Sequence, residues 1–143
     1  MRHLVDVNAW VALLDEAHVH HAPVLRFFQR RGVRIATCPL VENGVLRVLN
    51  MPGYSRHGPA GFTAVRDKLK EICARLDHQF WPDRLSLRTD ASVQWPRVLG
   101  HNQITDVYLL ALAVANRGCL ATLDHRVALS TVRGAGEKHV LLL

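Results

Sequence analysis

Apolar residues run through this chain in short blocks that switch between two periods. "HLVDV" at the N-terminus is a continuous apolar block broken by a carboxylate, which predicts a short buried strand. A helix follows it, starting near Asn8, a residue type suited to the N-cap. A second helix is expected from His20 to Arg31, with Pro23 tolerated in its first turn and Gly32 ending it. "VRIATCP" is a second strand, stopped by Pro39, and "LVENGVLRVLN" returns to helical spacing. The Gly- and Pro-dense "MPGYSRHGPAG" at 51–61 must be a loop. In "FTAVRDKLKEICARLD", Phe62, Val65, Leu69, Ile72 and Leu76 make one apolar face opposite Arg, Lys and Glu.

"HQFWP" fits an edge strand ended by Pro82, and Asp83 to Gln103 reads as loop with one short helix. "ITDVYLLALAVANRG" is apolar almost all round, so it predicts a buried helix closed at Arg117-Gly118. "CLATLD" is a strand, and "VRGAGEKHVLLL" is a turn leading to a last strand. Short apolar strands alternating with helices predict a single α/β domain over residues 1–143, with a parallel sheet covered on both faces. There is no internal repeat and no low-complexity segment.

Composition changes this picture little. Of 143 residues, 49% are hydrophobic and 21% charged, which is ordinary for a globular domain. Charge adds more. Eighteen Lys and Arg against 12 Asp and Glu give a net charge of +6, and most of the basic residues are Arg, which suits contact with phosphate. Solubility alone explains such a surface equally well. Cys38, Cys73 and Cys119 are odd in number and widely spaced, with no CxxC pair, so three reduced thiols in a cytoplasmic protein are expected. No secretory leader is visible, and "VYLLALAVA" is about half the length of a bilayer span.

The chemistry lies in four carboxylates whose neighbours predict burial. Asp6 ends the first strand. Glu42 lies in the first turn of the helix after the second strand, on the face of Val45, Leu46 and Leu49. Asp106 opens the buried helix, and Asp124 ends "CLATLD". A lone buried carboxylate costs several kcal/mol unless it is paired, hydrogen-bonded or bound to a metal. In a parallel α/β sheet, strand C-terminal ends and the starts of following helices share one edge, where ligand crevices form. Four carboxylates there repel one another unless protons or a cation neutralise them, and an all-oxygen set suits Mg²⁺ or Mn²⁺ rather than zinc. Three of the acids have a plainer reading: Asp106 as a helix-start carboxylate with Thr105 as cap, Asp124 as a turn former in "LDHR", Glu42 as a buried partner of an Arg. Asp6 is the hardest of the four to explain structurally.

Taken together, "LVDVNAWVALLD" at 4–15, "CPLVENGVLRVL" at 38–49, "TDVYLLALAV" at 105–114 and "ATLDHR" at 121–126 resemble the PIN-domain ribonucleases, and more narrowly the VapC toxins of bacterial toxin–antitoxin modules. "FWPDRLSL" at 80–87 resembles a subset of these toxins. The likeness covers nearly the whole chain. It implies a PIN-like three-layer α/β/α sandwich around a short parallel sheet and a Mg²⁺- or Mn²⁺-dependent endoribonuclease site. Asp6, Glu42, Asp106 and Asp124 match the acidic quartet that holds metal and positions water, and Asn8 and Thr105 match polar supporting positions. It also implies homodimers, a VapB-type antitoxin that covers the site, and structured RNA targets, including transfer RNA and a ribosomal RNA loop.

Other features stay open at this level. His18, His20 and His21 have poor spacing for zinc and fit a solvated helix entrance. His125 is placed to touch phosphate or simply to sit in a turn. Arg26, Arg30, Arg34 and Arg56 either line an RNA path or are solvated charges, and the stripe of Trp10, Val11 and Leu14 either packs in the core or receives an antitoxin helix. Two alternatives carry a different function. One is a catalytically silent RNA-binding or scaffold PIN domain. The other, a haloacid-dehalogenase-type phosphatase, needs a second Asp where this chain has Asn8. A nucleotide-binding Rossmann domain is disfavoured, because no GxGxxG or P-loop follows a strand.

Overall fold

A computed structural model describes residues 1–143. Five strands make one sheet: β1 (His3–Val5), β2 (Arg34–Thr37), β3 (Asp77–Phe80), β4 (Cys119–Thr122) and β5 (Val140–Leu142). Every pairing is parallel, and the order across the sheet is β3-β2-β1-β4-β5. Five α-helices flank it: α1 (Val7–Leu14), α2 (His21–Phe28), α3 (Pro39–Val48), α4 (Phe62–Arg75) and α5 (Ile104–Ala115). Helix α1 packs on α2 and α3, and α4 on α3 and β3, whereas α5 packs on β1 and β4. This is a three-layer α/β/α sandwich. No helix is long and apolar enough to cross a membrane.

The central strands explain the layering. Leu4, Val5, Leu120 and Ala121 are fully buried, because β1 and β4 have neighbours on both sides and helices on both faces. The run Val107–Ala113 in α5 is buried throughout, as an all-apolar helix must be. Trp10 is fully buried in the core with its ring edge against Phe28, 5.1 Å between centroids. Of the predicted stripe, Trp10 and Val11 are therefore core, and Leu14 is half-buried.

Several boundaries differ from the expected ones, each for a local reason. Helix α1 starts at Val7, and Asp6 rather than Asn8 is its N-cap, since the Asp6 carboxylate accepts from the Val7 amide. Helix α2 stops at Phe28, its last buried anchor, and the chain turns through Gly32 at φ 71°. The residue in the N-cap position of α5 is Gln103, so Thr105 lies inside the first turn, exposed and without a side-chain hydrogen bond. Strand β4 ends at Thr122, two residues short of Asp124. Phe62, expected on the inward face of α4, is 66% exposed, because it is the first residue of the helix and lies beyond the packed turn. The segment before α5 holds two single-turn 3-10 helices, at Trp95–Arg97 and His101–Gln103, instead of one short helix.

The strand order places the site. From β1 the chain steps to β2 and β3 on one side, then crosses to β4 and β5 on the other. A parallel sheet opens a crevice at such a reversal, outside the carboxyl ends of the two central strands. Asp6 follows β1 there, and Leu123 and Asp124 follow β4.

Candidate active site

The site is built around one hydroxyl. Thr122 closes β4, is fully buried, and its Oγ1 lies 2.7 Å from Asp6 Oδ2. A hydroxyl donates once and accepts twice. The Thr122 proton goes to Asp6, while Asn8 Nδ2 at 3.2 Å and the Asp124 amide at 3.1 Å donate to the oxygen. Asn8 Oδ1 also accepts from the Leu123 amide at 3.2 Å. Thr122 and Asn8 thus tie the exits of β1 and β4 together and fix Asp6 against the start of the turn that carries Asp124. Thr122 was not singled out from sequence, since a Thr in a buried strand reads as an ordinary β-former.

Three of the four expected acids meet at this edge. Asp6, 5% exposed, accepts from Val7 at 2.6 Å and from Thr122. Burial pushes its carboxyl above the usual range; those two hydrogen bonds oppose the rise, and the charge of Asp124 adds to it. A helix filling a parallel crossover runs against the strands, so the start of α5 lies at the same edge as the strand ends. Asp106 is there, and burial followed by the charges of Asp6 and Asp124 raises it from 3.8 to about 6. Asp106 takes no hydrogen bond from the protein, whereas Asp124 is held below the usual range by Arg126. The Arg126 guanidinium meets both Asp124 oxygens, Nε to Oδ1 at 3.0 Å and Nη2 to Oδ2 at 2.9 Å, and the Arg126 amide also donates to Oδ1 at 2.8 Å. Asp124 therefore stands at this edge and is also the turn former that "LDHR" suggests.

Glu42 is engaged elsewhere. Its Oε1 accepts from Thr37 Oγ1 at 2.7 Å, and its charge is felt by His78 and Cys73 rather than by Asp6 or Asp106. No three His, Cys, Asp or Glu side chains close round a single point. The donor chemistry still suits a hard divalent cation: Asp6 and Asp106 offer only carboxylate oxygens, the charge of Asp6 raises the proton affinity of Asp106, and no Lys or Arg is paired with either. The nearest cation, Arg126, is spent on Asp124 and is 77% exposed.

His125 is exposed and, with Asn8, Leu123, Asp124 and Arg126, lines an open depression beside the aspartates. His20 is exposed, His18 is half-buried with its Nδ1 accepting from the His20 amide at 3.1 Å, and the His21 ring nitrogen meets the Ala12 carbonyl at 2.9 Å, tying α2 to α1. Burial pushes the thiols up, to about 12 for Cys38 and about 11 for Cys73 and Cys119, so none is a ready nucleophile. A concavity of about 690 Å³ lies away from the aspartates, between the end of α1, α2, the 51–61 loop and α4.

Comparison with known proteins agrees with this arrangement. A family model described as "PIN domain" matches residues 3–133. The chain is 35% identical over 144 residues to Ribonuclease VapC44 of Mycobacterium tuberculosis, covering 100% of both chains. It is 37% identical over 125 residues to Ribonuclease VapC29, 87% of each chain, and 33% identical over 138 residues to Ribonuclease VapC39, 96% of this chain and 99% of the relative, both of the same species. With a parallel five-stranded sandwich, aspartates gathered at its reversal point and full-length relatives of this kind, the chain belongs to the PIN-domain family, among its VapC ribonucleases.

Proposed function

We propose that this chain is a Mg²⁺- or Mn²⁺-dependent endoribonuclease, the toxin of a toxin–antitoxin pair. In this reading it cuts phosphodiester bonds in structured RNA, transfer or ribosomal, in the cytoplasm. The observation that carries the reading is the trio Asp6, Asp106 and Asp124 at the sheet's reversal point, with Asp6 and Asp106 raised by burial and by neighbouring carboxylates of the trio. Asp6, Asp106 and Asp124 would hold the metal, with Glu42 contributing its free oxygen. Bound there, a divalent ion supplies an activated water and neutralises charge on the phosphate under attack.

The chain's own residues do the rest. Thr122 and the Val7 amide hold Asp6 in one orientation, so its carboxylate need not be ordered when a ligand arrives. Asn8 keeps the β4 exit in place, and with it Asp124. Arg126 and His125 stand at the rim, where a phosphate would pass. The net charge of +6 favours approach of a polyanion at any orientation.

A VapB-type antitoxin and a second copy of the chain are the protein partners we assign. The groove between α1 and α4, with Leu13, Leu25, Phe28, Val65 and Ile72 on its walls, has the apolar character that an antitoxin helix needs. The test is expression of the full chain alone, with the 5′ ends of cellular RNA sequenced. We expect discrete new ends that need Mg²⁺ or Mn²⁺, vanish with EDTA and fall at least about 100-fold in Asp6→Asn. Unchanged cleavage by Asp6→Asn, or tight RNA binding with no products, overturns the proposal; the latter would identify a silent RNA-binding domain.

A further inference from the structure

Glu42 ends a hydrogen-bonded chain that crosses three elements. Thr37, the last residue of β2, is 1% exposed, and its Oγ1 lies 2.7 Å from Glu42 Oε1 on α3 and 2.8 Å from His78 Nε2 on β3. The hydroxyl has one proton. An ionised carboxylate only accepts, so that proton goes to Glu42, and His78 must donate its Nε2–H to the hydroxyl oxygen. The direction of the chain is therefore His78 to Thr37 to Glu42, and it fixes the Nε2–H form of the imidazole. Glu42 Oε1 is thereby saturated from one side, and Oε2 takes no hydrogen bond from the protein.

Nothing local requires this arrangement. Strand β3 is an edge strand, and His78, paired in register with Ile35, is half-buried rather than core. A Thr at the end of a buried strand could satisfy its hydroxyl on a nearby backbone carbonyl. Here both its bonds go to ionisable side chains, one of them an acid of the candidate site. A free Glu side chain has rotamer freedom to lose on binding a ligand. A carboxylate already held by one oxygen has less to lose.

We infer that His78 is a positioning residue for Glu42, acting through Thr37, which holds Oε1 and leaves Oε2 for a divalent cation or its water. The inference rests on the proposed role of Glu42 in the acidic site. It assigns a task to β3, a strand that carries none of the four acids.

The experiment uses the full chain and the variants His78→Phe, Thr37→Val, Thr37→Ser, Glu42→Gln and His78→Phe/Glu42→Gln. Three quantities are read: Mn²⁺ affinity by calorimetry with the metal alone, kcat and KM on a fluorogenic RNA, and the melting temperature. Removing a residue that orients a ligand typically costs about 10–100-fold in metal affinity or rate. We expect losses in that range for His78→Phe and Thr37→Val, carried by kcat and Mn²⁺ affinity rather than KM. Thr37→Ser recovers most of the loss, and His78→Phe adds nothing in the Glu42→Gln background. The ring ¹⁵N spectrum of the wild type shows His78 protonated at Nε2. An Nδ1–H tautomer, equal losses for Thr37→Ser and Thr37→Val, or a full His78→Phe loss without Glu42 overturns the inference. If the wild type binds Mn²⁺ but cuts no RNA, the endoribonuclease reading fails while the Mn²⁺ affinities still decide the role of His78. A wild type that binds no Mn²⁺ overturns both.

Discussion

Replacing Asp106 with Asn removes one negative charge from the aspartate trio and leaves the shape of the site unchanged. Asp106 has no hydrogen-bond or ion-pair partner in the protein, so the amide strands nothing. Its carboxyl is raised from 3.8 to about 6, first by burial and then by Asp6 and Asp124. At about 1.4 kcal/mol per tenfold change in acidity, that rise is about 3 kcal/mol in a fully dry site. Asp106 is only half-buried, and solvent screening reduces the figure to about 1–2 kcal/mol. The folded state holds the proton more tightly than the unfolded chain, so ionisation works against folding. Below about pH 4 both states are protonated and the penalty is absent; it grows as pH rises and is complete above about pH 6. Asp106→Asn should therefore stabilise the metal-free protein by about 1–2 kcal/mol at pH 7.5, which is about 3–8 °C in melting temperature for a domain of this size. At about pH 4 it should gain almost nothing. The assay is a thermal melt with chelator present at both pH values, repeated at neutral pH with Mn²⁺. With Mn²⁺ the order should narrow or reverse, because a cation held by Asp106 stabilises only the wild type. An equal gain at both pH values, or no gain at neutral pH, refutes the reasoning.

Two further outcomes follow from the same geometry. Arg126→Ala should let the Asp124 carboxyl rise towards the ordinary range, because the guanidinium clamp that lowers it is gone, while stability hardly changes, since the Arg126 side chain is largely in solvent. A carboxyl-carbon NMR titration of Asp124 and a urea melt check the two halves separately. Gly118→Ala should cost about 1–3 kcal/mol, read as a lower urea midpoint, since the new Cβ would lie 2.5 Å from Trp81 Cη2 and 2.8 Å from the Arg2 carbonyl.

Much of the framework is legible in residue order because it depends on short-range physics. A run such as Val107–Ala113, apolar on every side, has no stable place but the interior, and "HLV" and "CLAT" are too apolar to be anything but central strands. Asp6 stands out for the same reason, as a charge in a segment that must be buried. Local misreadings also have local causes. Asn8 and Thr105 are good capping types, but the cap of α1 went to Asp6, whose carboxylate reaches the first free amide, and the chain enters α5 one turn earlier through a 3-10 segment. Arg126 is two residues from Asp124, and sequence alone does not separate a clamp from a solvated charge.

The sequence by itself determined that this is an α/β domain and which carboxylates stand among neighbours that predict burial, because burial follows from apolar periodicity within a few residues. The tertiary structure alone decided which of those acids feel one another. Thr122 meets Asp6 across 116 positions of chain only because β4 pairs with β1, and Asp106 joins them only because α5 begins at that edge. Strand order divides the acids in the same way, placing Asp6, Asp106 and Asp124 at the β1–β4 reversal and leaving Glu42 on the β2 side with Thr37 and His78. Charge interactions and hydrogen bonds act over a few ångströms of space, and no period in the sequence records which distant segments will come that close.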